Sequence, residues 1–345
     1  MTEPTVIARK EGKAGRITLN RPKALHSLNL DMVKRMTDAL VDWADDDAVE
    51  LIVVDHAEGT RGFCAGGDVR MLAESGAKGG DEAKAFFAAE YQLNTLIQEY
   101  PKPYVAIIDG VTMGGGVGIS VHGTYRVATP NTLFAMPESG IGLFPDVGGG
   151  WFLPRLPGEL GMWLALSGER LKGEDVLAVG VATHFIDDPA GLASKLSSEG
   201  LAALDGLKTS ADASFVEHVS EIDSCFAKDS VEAIFACLEA GSEWAQGQAK
   251  TLSKKSPLTL KIAHRQLRTG GNLKDFRENM RMEFRIASRL VLTKSFHEGV
   301  RAVLIDKDND PDWAPGTLEE VRPVVLETFF ESLGEDELTF IGETA

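Results

Sequence analysis

The chain has 345 residues, of which 43% are hydrophobic and 25% charged, so it can bury a substantial core in one or two domains. Its 35 lysines and arginines against 52 aspartates and glutamates give a formal net charge of −17, which argues against nucleic-acid and anionic-membrane partners. The three cysteines (Cys64, Cys225 and Cys237) suggest no paired framework, and the chain opens without a signal-like segment. These features predict a reducing, cytosolic location.

Short strands, glycine-rich turns and helices alternate through about residue 185, which predicts an α/β fold. Strands are predicted at residues 5–8, 16–19, 51–54, 105–108, 125–128 and 133–135. Helices are predicted at 30–43, with Asn29 or Asp31 as the cap, at 82–99, and from Val117 onward. Glycine-rich loops follow the strands near residues 62–67 and 110–118.

The pattern becomes helical after residue 190, with helices predicted at 231–238, 242–252, 257–268, 273–292 and 300–305. Residues 206–214 are small and polar and are interpreted as a linker. We therefore predict two regions: residues 1–190 form the α/β core with the functional site, and residues 191–345 form a helical C-terminal region.

Two carboxylates, Glu138 and Asp146, stand in the segment 137–150, whose other residues are mostly glycine, proline and large apolar side chains. Acids are rarely buried unless they are paired or used, and two acids in an apolar setting suit general acid and base chemistry. A surface loop with two solvated acids fits this segment equally well when it is taken alone.

Two glycine loops are candidates for binding a carbonyl oxygen. Residues 114–118 stand between a predicted strand and a helix, and residues 63–68 follow another strand across a polar loop. One amide from each loop could polarise a thioester or ester carbonyl. The alternative is a pair of tight turns that only need small residues. Neither loop has the spacing of a Walker A or dinucleotide-binding motif.

Other catalytic groups are less well supported. Ser120 lacks the G-x-S-x-G surroundings of a nucleophile elbow, and Cys64 has no evident base. The seven histidines show no metal-binding spacing. Glu90 lies on the apolar side of its helix, either as a partly buried acid or at a solvated edge.

Motifs along nearly the whole chain resemble the crotonase (enoyl-CoA hydratase/isomerase) superfamily. They are Asn20-Arg21-Pro22, Phe63-Cys64-Ala65-Gly66-Gly67-Asp68, Tyr100-Pro101-Lys102-Pro103, residues 108–118, 136–150 and 182–185, and a C-terminal pair at 298–302 and 305–308. The resemblance implies a spiral core of β-β-α turns followed by a helical C-terminal region.

The resemblance also implies roles for individual residues. The amides of Gly67 and Gly115 would form the oxyanion hole for an acyl-CoA thioester, and Glu138 would be the catalytic glutamate. Asp146 matches the second acid of the family's hydrolase branch, and Glu90 and Gly115 match its substrate-binding positions, together with Glu138 and Asp146. CoA would be bound along Ala24, His26, Ala65, Gly66 and Asp68.

One departure separates the branches of the superfamily. Hydratases carry a first glutamate three residues after the oxyanion glycine, and this chain has Gly118 there. The expected activity is therefore acyl-CoA thioester hydrolysis, with the alternatives of an enoyl-CoA hydratase or isomerase, or an acyl-CoA-binding protein without catalysis. The expected partner is the acyl-CoA substrate, with no membrane, no metal and no separate cofactor, since CoA enters with the substrate. A homo-oligomer is a further possible assembly that the sequence leaves undecided.

Overall fold

The computed structural model describes residues 3–343. Internal contacts divide the chain into two units. The first unit comprises Met1–Asp68, Ala89–Ala135 and Arg170–Ser214, and the second comprises Val69–Ala88, Met136–Glu169 and Phe215–Ala345. The predicted boundary at residue 190, which separates regions by secondary structure, stays a prediction.

All strands found within residues 3–343 lie in the first unit. They are β1 (Val6–Glu11), β2 (Ala14–Leu19), β3 (Leu51–His56), β4 (Gly62–Cys64), β5 (Tyr104–Ile107), β6 (Val111–Met113), β7 (Tyr125–Ala128), β8 (Leu133–Ala135), β9 (Leu171–Lys172) and β10 (His184–Phe185). A six-stranded sheet has the order β1-β2-β3-β5-β7-β10, and a four-stranded sheet has the order β4-β6-β8-β9. Only β1 with β2 and β8 with β9 pair antiparallel; the other neighbours are parallel.

The helices follow the predicted division, with a concentration toward the C-terminus. They are α1 (Leu30–Ala44), α2 (Val69–Gly76), α3 (Asp81–Gln98), α4 (Gly115–Val121), α5 (Gly149–Phe152), α6 (Leu160–Ser167), α7 (Glu174–Ala178), α8 (Leu192–Glu199), α9 (Val219–Phe226), α10 (Val231–Glu239), α11 (Glu243–Leu252), α12 (Pro257–Gly270), α13 (Phe276–Leu290), α14 (Lys294–Val300) and α15 (Pro323–Thr328). A π-helical turn at Arg301–Ile305 continues α14. The prediction of an α/β fold with a helical C-terminal region is confirmed.

The core of the first unit lies on the six-stranded sheet. The central strands contribute Leu51, Val53, Val105 and Val127, and α8 covers them with Leu196. Strands that are covered on both faces read as continuous apolar runs, and the buried run 51–54 is an example. The parallel strands bring several strand ends, and the loops that follow them, to one edge of the unit.

The prediction of unpaired cysteines was wrong. Cys225 at the end of α9 and Cys237 in α10 form a disulfide with a Cα–Cα distance of 5.3 Å, whereas Cys64 is free and buried. The bond depends on two helices packing side by side, and a spacing of 12 residues in the sequence does not reveal that packing.

None of the helices within residues 3–343 is both long enough and apolar enough to cross a bilayer.

Candidate active site

The predicted site residues divide between the two units. Ala24, His26, the loop 65–68, Glu90 and Gly115 belong to the first unit, and Glu138 and Asp146 belong to the second.

The two loops predicted to bind CoA lie against each other in the first unit. The amide of Ala65 donates to the carbonyl of Leu25 (3.0 Å), Leu28 donates to Gly66 (2.7 Å), and Asp68 donates to Leu28 (3.0 Å). Arg21 adds an ion pair to Asp68 at 3.0 Å, and both side chains are about 29% exposed. The structure therefore brings the predicted CoA-binding segments together as one backbone ladder. CoA binding itself stays a prediction.

The His26 ring is buried and forms hydrogen bonds within the protein. It is 0% exposed, its Nδ1 accepts from the Arg21 amide at 2.9 Å, and its Nε2 lies 3.0 Å from the Thr60 hydroxyl. Burial, with a smaller contribution from neighbouring His56, lowers the pKa of His26 to about 4, so the ring is neutral near pH 7. Ala24 ends a short 3₁₀ turn, Pro22–Ala24, that leads into this loop.

The two predicted oxyanion loops approach each other within the first unit. Gly67 forms a bridge with Leu28, and a Cβ built at Gly66 would lie 4.0 Å from the Gly115 amide nitrogen. Gly115 is the first residue of α4, and the first amides of a helix have no acceptor within it. The helix begins at Gly115, two residues earlier than predicted. This arrangement is compatible with two N–H groups that serve one oxygen.

Glu90 explains why residue 115 is a glycine. The carboxylate is 2% exposed, and a Cβ at Gly115 would stand 2.5 Å from Glu90 Oε1 and 3.1 Å from Leu28 Cδ1. Any side chain at this position would displace the carboxylate. Of the two alternatives for Glu90, the buried acid is confirmed.

Asn94 is a residue of this region that the sequence reasoning missed. It is fully buried one helical turn after Glu90, and neither its amide oxygen nor its nitrogen has a hydrogen-bond partner within residues 3–343. The available signal was a polar residue on the apolar face of the predicted helix 82–99. An unpaired buried amide costs about 1–3 kcal/mol of folding free energy.

The two acids of the second unit are both buried, each about 5% exposed. Glu138 begins a 3₁₀ turn, Glu138–Ile141, and its Oε2 has no hydrogen-bond partner within residues 3–343. Burial raises the pKa of Glu138 well above its usual value, and the charge of Asp146 raises it further. A carboxylate whose pKa is raised is a stronger base in its ionised form. The alternative of solvated loop acids is therefore wrong.

The turn that carries Glu138 is fixed from several sides within the second unit. The Ser139 hydroxyl donates to the Leu166 carbonyl at 3.1 Å, and the Ser256 amide donates to the Ser139 carbonyl at 3.2 Å. Gly299 of α14 packs directly on the backbone of Ile141, where a Cβ would collide. The C-terminal motif at 298–302 therefore supports the Glu138 turn.

Asp146 stands at the start of a second turn, whose support the sequence reasoning missed. Glu283 of α13 is 0% exposed and accepts from the amides of Gly148 (2.7 Å) and Gly150 (2.8 Å). Burial raises the pKa of Glu283 to about 8, the donated hydrogen bonds oppose this, and the charge of Asp146 adds to it. The available signal was an acid on the apolar face of the predicted helix 273–292.

The alternative nucleophiles are engaged elsewhere. Burial raises the pKa of the Cys64 thiol to about 12, and its Sγ donates to the His26 carbonyl at 3.2 Å. Ser120 lies inside α4 and donates to the Gly116 carbonyl at 2.8 Å. Neither group has the accessibility or activation that nucleophilic catalysis requires.

The chain matches the enoyl-CoA hydratase/isomerase family over residues 14–330. It is 48% identical over 349 residues to a 3-hydroxyisobutyryl-CoA hydrolase, mitochondrial, of Danio rerio, covering 96% of this chain and 91% of that protein. The enzyme of the same name from Homo sapiens is 46% identical over 351 residues, covering 97% and 90%. These relatives carry the word mitochondrial in their names, so the prediction of a cytosolic location was wrong.

Among solved structures, a carnitinyl-CoA dehydratase from Mycobacterium thermoresistibile matches with a TM-score of 0.94 and 39% identity, covering 99% of this chain and 100% of that one. An enoyl-CoA hydratase from Rhodobacter sphaeroides 2.4.1 matches with a TM-score of 0.91 and 39% identity, covering 97% and 100%. The motifs, the α/β architecture and these matches over nearly the full length agree, and the chain belongs to the enoyl-CoA hydratase/isomerase family.

Proposed function

We propose that this protein is an acyl-CoA thioester hydrolase that converts 3-hydroxyisobutyryl-CoA to 3-hydroxyisobutyrate and CoA, a step of valine breakdown. The names of relatives at 46–48% identity support the substrate. The observation that carries the reaction type is the buried acid pair Glu138 and Asp146, combined with Gly118 at the position of the hydratase glutamate.

In the proposed reaction, the thioester carbonyl oxygen accepts hydrogen bonds from the amides of Gly67 and Gly115. Charge then develops on this oxygen as the carbonyl carbon is attacked, and fixed N–H donors stabilise that charge. Glu138 either attacks the carbonyl carbon and forms an anhydride that water then hydrolyses, or takes a proton from the attacking water and passes it to the departing sulfur of CoA. CoA leaves as the thiol, and the chemistry needs no metal or redox cofactor.

We assign recognition of the substrate hydroxyl to two other acids, Asp146 and Glu90. Asp146 would orient this hydroxyl or the attacking water, and Glu90 would accept a hydrogen bond from the hydroxyl. A site built to bind a hydroxyl discriminates strongly against an analogue that lacks it, because its buried polar groups are then left unpaired.

The second candidate is a hydratase or dehydratase, since the solved structures of this fold at 39% identity carry such names. Addition of water across a double bond uses two carboxylates around one water, and Gly118 removes one of them. An acyl-CoA-binding protein without catalysis is disfavoured by the two buried acids. A homo-oligomeric assembly stays a prediction.

A panel of CoA thioesters tests the proposal, with thiol release and loss of enoyl absorbance measured separately. We expect kcat/KM for 3-hydroxyisobutyryl-CoA hydrolysis to exceed that for crotonyl-CoA hydration by about a hundredfold, or roughly 2.7 kcal/mol. Isobutyryl-CoA, which lacks the hydroxyl, should be a poor substrate. Asp146→Asn should reduce the difference in kcat/KM between 3-hydroxyisobutyryl-CoA and isobutyryl-CoA. Comparable rates of hydration and hydrolysis would establish the second candidate instead.

Single substitutions test the assigned roles. Glu138→Gln keeps the shape and removes the ionisable group, so kcat should fall by about two orders of magnitude or more with KM nearly unchanged. Cys64→Ala and Ser120→Ala should retain most of the activity. Label found in Glu138 after a single turnover in ¹⁸O-water would establish attack by its carboxylate, since hydrolysis of an anhydride at the Glu138 carboxyl carbon places the water oxygen there.

A further inference from the structure

The turn after Asp146 has a backbone conformation that needs outside support. Val147 has a φ of +52°, in the left-handed region that a β-branched residue rarely adopts, and Gly148 follows with a φ of +88°. Such a residue costs about 1–3 kcal/mol and persists only where the surrounding structure over-determines it. The neighbours of this turn within the second unit supply that support.

Two buried side chains, Glu283 and Gln266, form hydrogen bonds with the backbone on both sides of Asp146, and a third, Asn279, bonds to Glu283. Glu283 Oε2 accepts from the Gly148 amide, and Glu283 Oε1 accepts from the Gly150 amide. Gln266 Nε2 donates both to the Pro145 carbonyl (2.8 Å) and to Glu283 Oε1 (3.0 Å), and Asn279 Nδ2 donates to the same oxygen at 2.8 Å. All three side chains are 0% exposed.

We propose that Gln266, Asn279 and Glu283, named here the Glu283 clamp, are positioning residues that set the place of the Asp146 carboxyl by holding its turn. The inference rests on the proposed function, since Asp146 has its role there. The clamp fixes the carbonyl before Asp146 and two amides after it, so little freedom remains for the residue between them.

The contacts with the backbone support a positioning role. Glu283 supplies acceptors for two buried amides and Gln266 supplies a donor for a buried carbonyl, so each contact fixes a backbone atom of the turn that carries Asp146. Glu283 and Asp146 also lie close enough for the charge of Asp146 to raise the pKa of Glu283.

The primary test is Glu283→Gln, scored on 3-hydroxyisobutyryl-CoA by thiol release. The variant keeps the shape but turns an N–H₂ group toward an amide donor, so the turn loses one of its two fixed points. We expect kcat to fall by about tenfold or more with KM within about threefold, because misplacement by an ångström weakens the transition state more than substrate binding. Glu278→Gln is the matched control on the same helix; its exposed carboxylate pairs with Arg281 in α13, and kcat should not change.

Two further variants extend the test, and the first of them also applies if Glu283→Gln fails to fold. Gln266→Met loosens the segment from the Pro145 side at nearly constant volume, and we expect the same fall in kcat at similar KM. Val147→Gly relieves the left-handed residue, so the loss caused by Glu283→Gln should be smaller in that background. Equal losses in both backgrounds would show that the clamp does not act through the turn.

The outcomes separate this inference from the proposed function. A wild-type protein that releases no thiol from 3-hydroxyisobutyryl-CoA contradicts the function. An active wild type with a folded Glu283→Gln or Gln266→Met variant of normal kcat, by circular dichroism and thermal unfolding, overturns the clamp as a positioning device.

Discussion

Glu138 carries a cost to stability that depends on pH. Its folded-state pKa lies well above the usual value because of burial and the charge of Asp146, whereas in the unfolded chain it returns to about 4.3. Between these two values the unfolded chain has already lost the proton that the folded chain still holds. The wild-type protein therefore loses stability as the pH rises through this window.

Glu138→Gln removes this ionisation, so its Tm should exceed that of the wild type by a larger margin at about pH 8 than at about pH 4.5. Thermal unfolding at the two pH values measures the difference. Glu278→Gln, at an exposed site, should show no such dependence. A margin that is constant with pH would mean that Glu138 is already ionised in the folded protein over this range.

Gly115→Ala tests the contact between the first residue of α4 and Glu90. The new methyl group would lie 2.5 Å from Glu90 Oε1, so the carboxylate must move. Overpacking of this kind costs about 1–3 kcal/mol. Under the proposed role of Glu90 in binding the substrate hydroxyl, the preference for 3-hydroxyisobutyryl-CoA over isobutyryl-CoA should also shrink.

The control for Gly115→Ala is Gly247→Ala in α11, where a Cβ meets no atom within 4 Å. Alanine in a helix interior is favoured over glycine by about 1 kcal/mol, so this variant should be more stable and equally active. Unchanged substrate preference in Gly115→Ala would remove Glu90 from hydroxyl recognition.

Two of the candidate residues, Glu138 and Asp146, stood out in the sequence from an apolar background, although their burial could not be decided from the sequence. Gly115 was named from its glycine-rich loop and from the family resemblance, and the roles of all three stay predictions. Glu283 and Asn94 were missed because each lies in a long helix with many other polar residues, and the sequence does not show which of these residues are buried. Their importance comes from partners distant in sequence, or from the lack of partners.

At the scale of elements, periodicity predicted the amphipathic helices well and the uniformly apolar ones poorly. Helix α1 was predicted at residues 30–43 and observed at Leu30–Ala44. Helix α6 was missed because all of its residues, Leu160–Ser167, are buried, so it has no polar face to mark the period. The four-residue strands β5 and β7 were predicted at 105–108 and 125–128 and observed at Tyr104–Ile107 and Tyr125–Ala128, whereas β9 and β10 are too short to carry a pattern.

The N-cap of α1 is Asn29, one of the two predicted candidates, and its side chain accepts from the Met32 amide at 2.9 Å. Asn29→Ala leaves this donor without its partner and should lower the free energy of unfolding by about 1 kcal/mol. Urea denaturation measures the change. Asp38→Ala, at an exposed position of the same helix, should differ from the wild type by less than about 0.5 kcal/mol.

At the scale of the whole molecule, the net charge of −17 predicts self-repulsion among the surface acids. Ionic strength near 0.15 M shortens the screening length to about 8 Å, from about 30 Å at 0.01 M. We expect Tm to rise by a few degrees over this range, equally with sodium and potassium chloride. A Tm that falls with salt would mean that the surface ion pairs outweigh the excess of negative charge.

The disulfide between Cys225 and Cys237 has a consequence for proteolysis. A protease that cuts the connection between α9 and α10, at residues 227–230, leaves two fragments that are still covalently joined. Such a nicked protein should migrate as one band on a denaturing gel without reductant and as two bands after reduction. Limited digestion followed by this pair of gels would therefore report the state of the bond in any preparation, including one made in a reducing host.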